Sequence, residues 1–457
     1  MPIHSLFTFL KNNNINNIII YIQKGKIMRA TTTMKNNLLI CLSVMCCVLF
    51  IIIIVFTNYK NAYNWIMPLR IEQVNYYINN IANGQFPDFY SSYNNDHAYG
   101  IYLIASYLGY FMNLDGVGIL VALSVTIFLL LVVTIPFYVY KKTENVICAC
   151  FSPILLCIFF YAYVITVKCE VYVVLSICVA FWGIPLLEKL TKSCQFKRKI
   201  ALYFSLIFLI SITNIARLYI SLGLMIIVAV LLLFEIKKAI YDRHIKDLFI
   251  QIILLSLLFY LNDFFASSLP EYLIKHNNQP ILGLTNTAWH NILIGFGTFN
   301  NPYNLYYDDL CGKELVASIA PNIEYARNEY YLKCKELVFE LLKNDFWFCF
   351  MSLTKKTIVS IGLIFYALVK GKITFTFLLI FSIFYIKNRK TYLISDYLKD
   401  NKNIISYAIV LVLAGLVFSI ITSPIIIYSF TSVATLYYLL FDFIIEFISK
   451  YIGRMET

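Results

Sequence analysis

The stretch Leu38–Phe56, "LLICLSVMCCVLFIIIIVF", is apolar throughout apart from Ser43. An uncharged run of this length matches the ~20 residues that an α-helix needs to cross the hydrocarbon core of a bilayer. Inside that core every backbone polar group must be satisfied within the chain, so a spanning segment is a helix or part of a closed barrel. Runs of this kind recur along the sequence, which predicts an all-α polytopic membrane protein. Composition agrees: 60% of the 457 residues are hydrophobic and only 14% charged, with a mean hydropathy of +0.74. Soluble proteins carry about a quarter charged residues.

The net charge of +12 does not point to nucleic acid, because the basic residues cluster in short connections between apolar runs. That is the distribution of a topology signal, with Lys and Arg retained on the cytoplasmic side. Spans are expected near 37–57, 117–140, 145–167, 171–188, 200–214, 218–236, 247–267, 373–387, 403–422 and 424–447. Two apolar segments, Ile101–Met112 and Thr357–Val369, are short and read as interfacial or re-entrant. The clusters "EKLTKSCQFKRK", "KKAIYDRHIK" and "KNRKTYLISDYLKDNK" then all fall inside. About ten transmembrane helices with both termini inside is the preferred reading, and twelve the alternative.

This topology divides the chain into a cytoplasmic tail at 1–36 and a transmembrane core at 37–267 with a first outer loop at 58–116. A second outer loop follows at 268–372, and the last transmembrane helices occupy 373–457. The tail is Asn-rich and lacks the features of a signal peptide; Met28 or Met34 would also serve as a start. Long loops in compact proteins are usually functional or disordered, and both outer loops carry apolar and aromatic residues at helical spacing.

In the first loop, Leu69–Ala82 has Ile71, Val74, Tyr77, Ile78 and Ile81 in the rhythm of an amphipathic helix lying at the membrane surface, with Gly84 ending it. Glu72 near its start fits a general base whose pKa is lifted at the bilayer edge, or a carboxylate favoured by the helix dipole. Asp88, Asp96 and His97 follow; the Asp96-His97 pair fits a turn as well as a catalytic or metal pair. "VITVKCEVYVV" puts Lys168 and Glu170 at an outer boundary, and "SITNIARLYI" puts Arg217 at another. An Arg there suits a bidentate grip on phosphate, or neutralises Glu170.

The second loop holds "WHNILIGFGTFNNPYNLYYDD", wet by the standard of this chain. His290, Asp308 and Asp309 are its polar candidates for substrate binding, while its Tyr and Trp rings suit sugar faces or the membrane interface. A helix is expected from about Tyr325 to Leu342. Cys311 and Cys334 lie in the same loop and are a candidate disulfide pair if that face is oxidising. No CxxC zinc pattern, Walker loop, dinucleotide fingerprint or nucleophile elbow is present.

Taken in order, these features resemble the GT-C superfamily of membrane glycosyltransferases, which includes the protein O-mannosyltransferases and the lipid A aminoarabinose transferases. "IEQVNYYINNIANGQFP" is similar to the acidic motif of that family's first outer loop through Glu72, Tyr76 or Tyr77, Ala82 and Gly84. Ile71 stands where the family has its first acidic residue. Ser152-Pro153 and Glu170 match a later span and its end, Arg217 the following span, and Pro424 with Tyr428 the closing one. The resemblance covers most of Leu38 to Phe447 and rests on the order of degenerate motifs.

It implies transfer of a sugar from a polyprenyl-phosphate carrier to a glycan, lipid or protein acceptor at the outer face of a bacterial inner membrane. Glu72 would be the base. Arg217, then Lys168, would stabilise the departing phosphate, or a divalent cation would do so. Asp96, His97, Glu170, His290, Asp308 and Asp309 are the substrate-binding candidates. The alternatives are a polysaccharide polymerase or ligase acting on lipid-linked glycans, and a transporter or flippase, for which no internal duplication is found.

Overall fold

The structure, a computed structural model, describes residues 27–58, 68–85, 99–167, 171–216, 218–265, 287–325, 328–370, 372–424 and 429–455. These residues are helical almost throughout, and no strand occurs among them. The helices are α1 (Ile27–Asn58), α2 (Pro68–Ala82), α3 (Tyr99–Met112), α4 (Gly116–Thr143), α5 (Val146–Val167) and α6 (Val171–Cys178). A π-helical turn at Val179–Gly183 continues α6 into α7 (Ile184–Lys192), followed by α8 (Phe196–Ala216), α9 (Leu218–Tyr241) and α10 (Ile245–Asp263). Then come α11 (Thr287–Gly295), α12 (Asp309–Ile319), α13 (Asn328–Asn344) and α14 (Phe346–Val369). The last are α15 (Lys372–Asn388), α16 (Ile394–Asp400), α17 (Lys402–Ile421) and α18 (Phe430–Met455).

Among the described residues, nine helices are long and apolar enough to cross a membrane. This is the make-up of an integral multi-pass membrane protein. Of the expected spans, 145–167 corresponds to α5, whose Val146–Phe159 portion is a shorter apolar helix. Likewise 373–387 corresponds to α15, a helix of 17 residues. The other expected spans each fall on one of the nine.

One of the nine differs from expectation. Where the sequence predicts only the short segment Thr357–Val369, α14 runs for 24 residues from Phe346. Asp345 caps its start, Oδ1 accepting from the Phe348 amide at 2.9 Å. Lys355, which is exposed, and Lys356, which is buried, interrupt the apolar run in sequence but not the helix.

The chain forms two compact units. One is Met1–Phe56 with Val132–Cys157. Within it, Ser43 Oγ donates to the Cys150 carbonyl at 2.6 Å and Asn36 Nδ2 to the Tyr140 hydroxyl at 3.2 Å. Polar side chains cross-linking helices in this way are common where lipid offers no competing partner.

The other unit, Thr57–Leu131 with Ile158–Thr457, holds the candidate site residues. In it α9 packs between α8, α10 and α17, and α17 packs on α14 and α18. Phe181 of the π turn meets Tyr438 and Phe441 of α18 edge-on, each at 5.3 Å between ring centres. Residues 287–345 lie outside the candidate spans and have an apolar core of their own. Leu293, Ile294 and Phe296 pack there with Tyr330, Tyr331, Cys334 and Val338. This cap joins the bundle through α11 on the end of α17 and through α13 leading into α14.

Candidate functional site

The first candidate surface is α2. Its apolar rhythm holds: Ile71, Val74 and Tyr77 are buried, and α2 packs on α3. The Ser106 hydroxyl of α3 donates to the Val74 carbonyl at 3.4 Å, and the Arg70 guanidinium lies 5.2 Å over the Tyr102 ring. Gln73, also buried, donates to the Tyr77 hydroxyl at 3.0 Å. Asn75 Oδ1 accepts from the Gly116 amide at 2.7 Å and so satisfies an orphan donor at the start of α4. Gly84, with φ +69°, follows the helix.

With one face spent on packing, Glu72 is left exposed at the start of the opposite stripe. Tyr76 is half-buried and Asn79 exposed, one and two turns further along that stripe. Of the two tyrosines in the motif, Tyr76 therefore shares a face with Glu72, while Tyr77 belongs to the core.

The cap contains His290, Asp308 and Asp309. His290 is 5% exposed and uses both ring nitrogens. Nε2 lies 3.0 Å from Asp309 Oδ1, and Nδ1 lies 2.8 Å from the Tyr330 hydroxyl. A carboxylate only accepts, so Asp309 fixes the tautomer with hydrogen on Nε2, and Nδ1 then accepts from Tyr330. Burial drives the Tyr330 pKa strongly upward and that of Cys334 to about 11, so Tyr330 remains a donor at neutral pH. Gly312 makes this docking possible: a Cβ there would stand 2.7 Å from both His290 Nδ1 and the Tyr330 oxygen. Asp309 is 61% exposed and is the open end of the chain of bonds.

The paired aspartates thus have separate tasks. Asp308 is the N-cap of α12, its carboxylate accepting from the Leu310 amide at 2.8 Å, while Asp309 reaches back to His290. Truncation of His290 would open a cavity and strand the Tyr330 hydroxyl. We expect His290→Ala to cost about 2–4 kcal/mol, read as a lowered melting temperature in detergent, and His290→Gln to cost less.

The remaining polar residues of the stretch build its turn. Asn301 Oδ1 accepts from the Tyr303 and Leu305 amides, each at 3.1 Å, and Nδ2 donates to the Phe299 and Leu305 carbonyls at 2.9 and 2.8 Å. Every hydrogen-bonding direction of that amide is used. Tyr303 and Tyr306 are left partly exposed, their hydroxyls held by Asp345 at 3.1 Å and Glu314 at 2.9 Å. The Glu314 bond lifts the Tyr306 hydroxyl to about 12. The Trp289 ring lies tilted against Phe339, 5.6 Å between centres, with the Lys335 ammonium over it at 5.7 Å.

Cys311 and Cys334 are both buried, free thiols. The disulfide considered for them does not form. Cys311 instead accepts from the Tyr306 amide at 3.4 Å, and Cys334 packs in the apolar core of the cap. Accordingly, reductant should leave the melting temperature unchanged, and alkylation after unfolding without reductant should label both thiols.

The sequence reading missed Lys356. It is 0% exposed, yet lies within the apolar length of α14. Its ammonium donates to the Ile421 carbonyl at 3.2 Å and the Thr422 carbonyl at 3.0 Å, at the end of α17, and lies 5.3 Å from the centre of the Phe296 ring. The carbonyls at a helix C-terminus carry partial negative charge and lack intrahelical donors, which is how a lysine is housed inside α14. The signal available in the sequence was a lysine pair with no acidic neighbour in a run otherwise fit to span.

Asp88, Asp96, His97, Lys168, Glu170, Arg217 and Tyr428 lie outside the described residues. The structure therefore joins His290 to Asp309 and places Glu72 on a separate helix, α2. Among the described residues no group of three or more His, Cys, Asp and Glu is arranged to hold a metal ion. No family model, no curated protein and no solved structure matches the chain.

Proposed function

We propose that the protein is a membrane glycosyltransferase that moves a sugar from a polyprenyl-phosphate carrier to a glycan, lipid or protein acceptor at the outer face of a bacterial inner membrane. The observation that supports this most is the exposed carboxylate of Glu72, on a short amphipathic helix that follows the first span in sequence. An amphipathic helix of this kind suits the headgroup layer, where a lipid-borne donor and a polar acceptor meet.

Glu72 takes the proton of an acceptor hydroxyl as that oxygen bonds to the anomeric carbon. The bond from that carbon to the carrier's phosphate oxygen breaks, and the lipid phosphate leaves with the electron pair. The base has to stand within hydrogen-bond reach of the nucleophile, and the departing charge needs cationic stabilisation. Arg217 and Lys168 remain the proposed residues for the latter, with a divalent ion as a further means. The partly exposed rings of Tyr303 and Tyr306, with the carboxylate of Asp309, offer stacking and hydrogen-bonding groups suited to a sugar.

The test is transfer of labelled sugar from a series of polyprenyl-phosphate sugars by the purified protein in liposomes, alongside mass spectrometry of the lipids that co-purify with it. Carrier lipid bound to the protein together with donor-dependent transfer supports the reading. Accumulation of a free solute inside the liposomes with no glycosidic product would replace it with a transporter.

A further inference from the structure

We propose that Lys356 and Ser352 of α14 form a phosphate-binding site within the bundle, taking the phosphate group of a lipid. The residues Cys349, Ser352, Lys356 and Ser360 fall on one face of α14, and all four are buried. This face is turned toward the end of α17. Below Lys356 the seam is closed by the Ser360 and Ser419 hydroxyls, 2.7 Å apart. Above it, the Thr298 hydroxyl of the cap reaches Ser423 at 3.4 Å.

Two features leave this seam incomplete without a ligand. The ammonium of Lys356 has three hydrogens and two carbonyl acceptors, and the centre of the Phe296 ring lies 5.3 Å from it. No carboxylate pairs with it among the described residues. A buried cation without a counter-ion is costly, and ionisable groups at membrane depth characteristically serve a substrate or ion.

The second feature is independent of the charge. Ser352, one turn from Lys356 on the same face, is 5% exposed and its hydroxyl has no hydrogen-bond partner. The other serine and threonine hydroxyls of α14 are all engaged: Thr354 with the Phe350 carbonyl, Thr357 with the Leu353 carbonyl, and Ser360 with Ser419. Helical serines ordinarily settle on a carbonyl of the preceding turn. Ser352 does not, and its unpartnered hydroxyl belongs to a residue one turn from the cation on the same buried face. An ammonium and a hydroxyl one turn apart on a buried helix face are groups suited to a phosphate oxygen.

The glycosyltransferase reading bears only on which lipid is bound, so the two ideas can fail separately. Binding is measured without turnover, on the full-length protein in detergent. The probes are a polyprenyl phosphate, phosphatidylglycerol and inorganic phosphate. The wild type is expected to bind a phosphate-bearing lipid, and Lys356→Met to weaken that binding at least about tenfold, with Lys356→Arg restoring part of it. Ser352→Ala removes a hydroxyl that has no partner to lose. It should leave the melting temperature unchanged and weaken binding several-fold, which a purely structural Lys356 would not predict.

Preference for polyprenyl phosphate identifies the carrier, and equal binding of phosphatidylglycerol identifies a membrane phospholipid. The proposal is overturned if Ser352→Ala binds as tightly as the wild type, or if inorganic phosphate is the only probe that binds. Absence of sugar transfer together with Lys356-dependent lipid binding would sink the enzyme reading and leave the site standing.

Discussion

Glu72→Gln is expected to lower the proposed sugar transfer by about 10²- to 10⁴-fold and to leave the purified protein folded. The magnitude is that of removing a general base from the transition state. The amide keeps the size and hydrogen-bonding reach of the carboxylate but does not take up a proton. Folding is spared because the buried face of α2 runs through Ile71, Val74 and Tyr77, and Glu72 points away from it. Since the variant retains the rest of the proposed donor and acceptor surface, the loss should fall on turnover rather than on the apparent affinity for either substrate. Unchanged transfer by Glu72→Gln would remove the base from the proposal.

Gly295→Ala is expected to unseat the cap from the end of α17. A Cβ at Gly295 would overlap the Thr422 carbonyl oxygen and lie 3.0 Å from the Ile421 oxygen, both backbone atoms that cannot rotate aside. These are the same carbonyls that receive Lys356. The methyl therefore separates the cap from the end of α17 and disturbs the seating of the lysine as well. Overpacking ordinarily costs 1–3 kcal/mol, and this position should reach about 3 kcal/mol. The measurement is thermal unfolding in detergent, with Gly362→Ala as the control. Gly362 lies within α14, and a Cβ added there would meet nothing within 4 Å, so its substitution should be neutral or slightly stabilising. Equal melting temperatures for the two variants would mean that the cap is not seated through Gly295.

What could be read in the sequence follows from range. Periodicity within one helix is a local property, so α2 and the helix near the end of the cap are legible from their own residues. The expected Tyr325–Leu342 helix is found as Asn328–Asn344. The length of α14 was not legible, because local hydropathy sees Lys356 as a charge and has no view of the carbonyls at Ile421 and Thr422 that absorb it. The joining of His290 to Asp309 and Tyr330 is likewise a product of tertiary packing. The division of labour between Asp308 and Asp309 was partly within reach, since an Asp just ahead of an apolar-periodic run is a helix-start signal.

The bonds made by Lys356 also bear on the order in which the chain can be completed. Synthesis proceeds from the N-terminus, so α14 is made before the residues that receive its ammonium. Until the chain has grown to Thr422, the lysine has neither of its carbonyl partners, and the cap has its own core but no seat for Gly295. The final seating of α14 is then a late event that waits for α17. A nascent chain halted between the two helices should expose Lys356 to water-soluble amine reagents, and the finished protein should not.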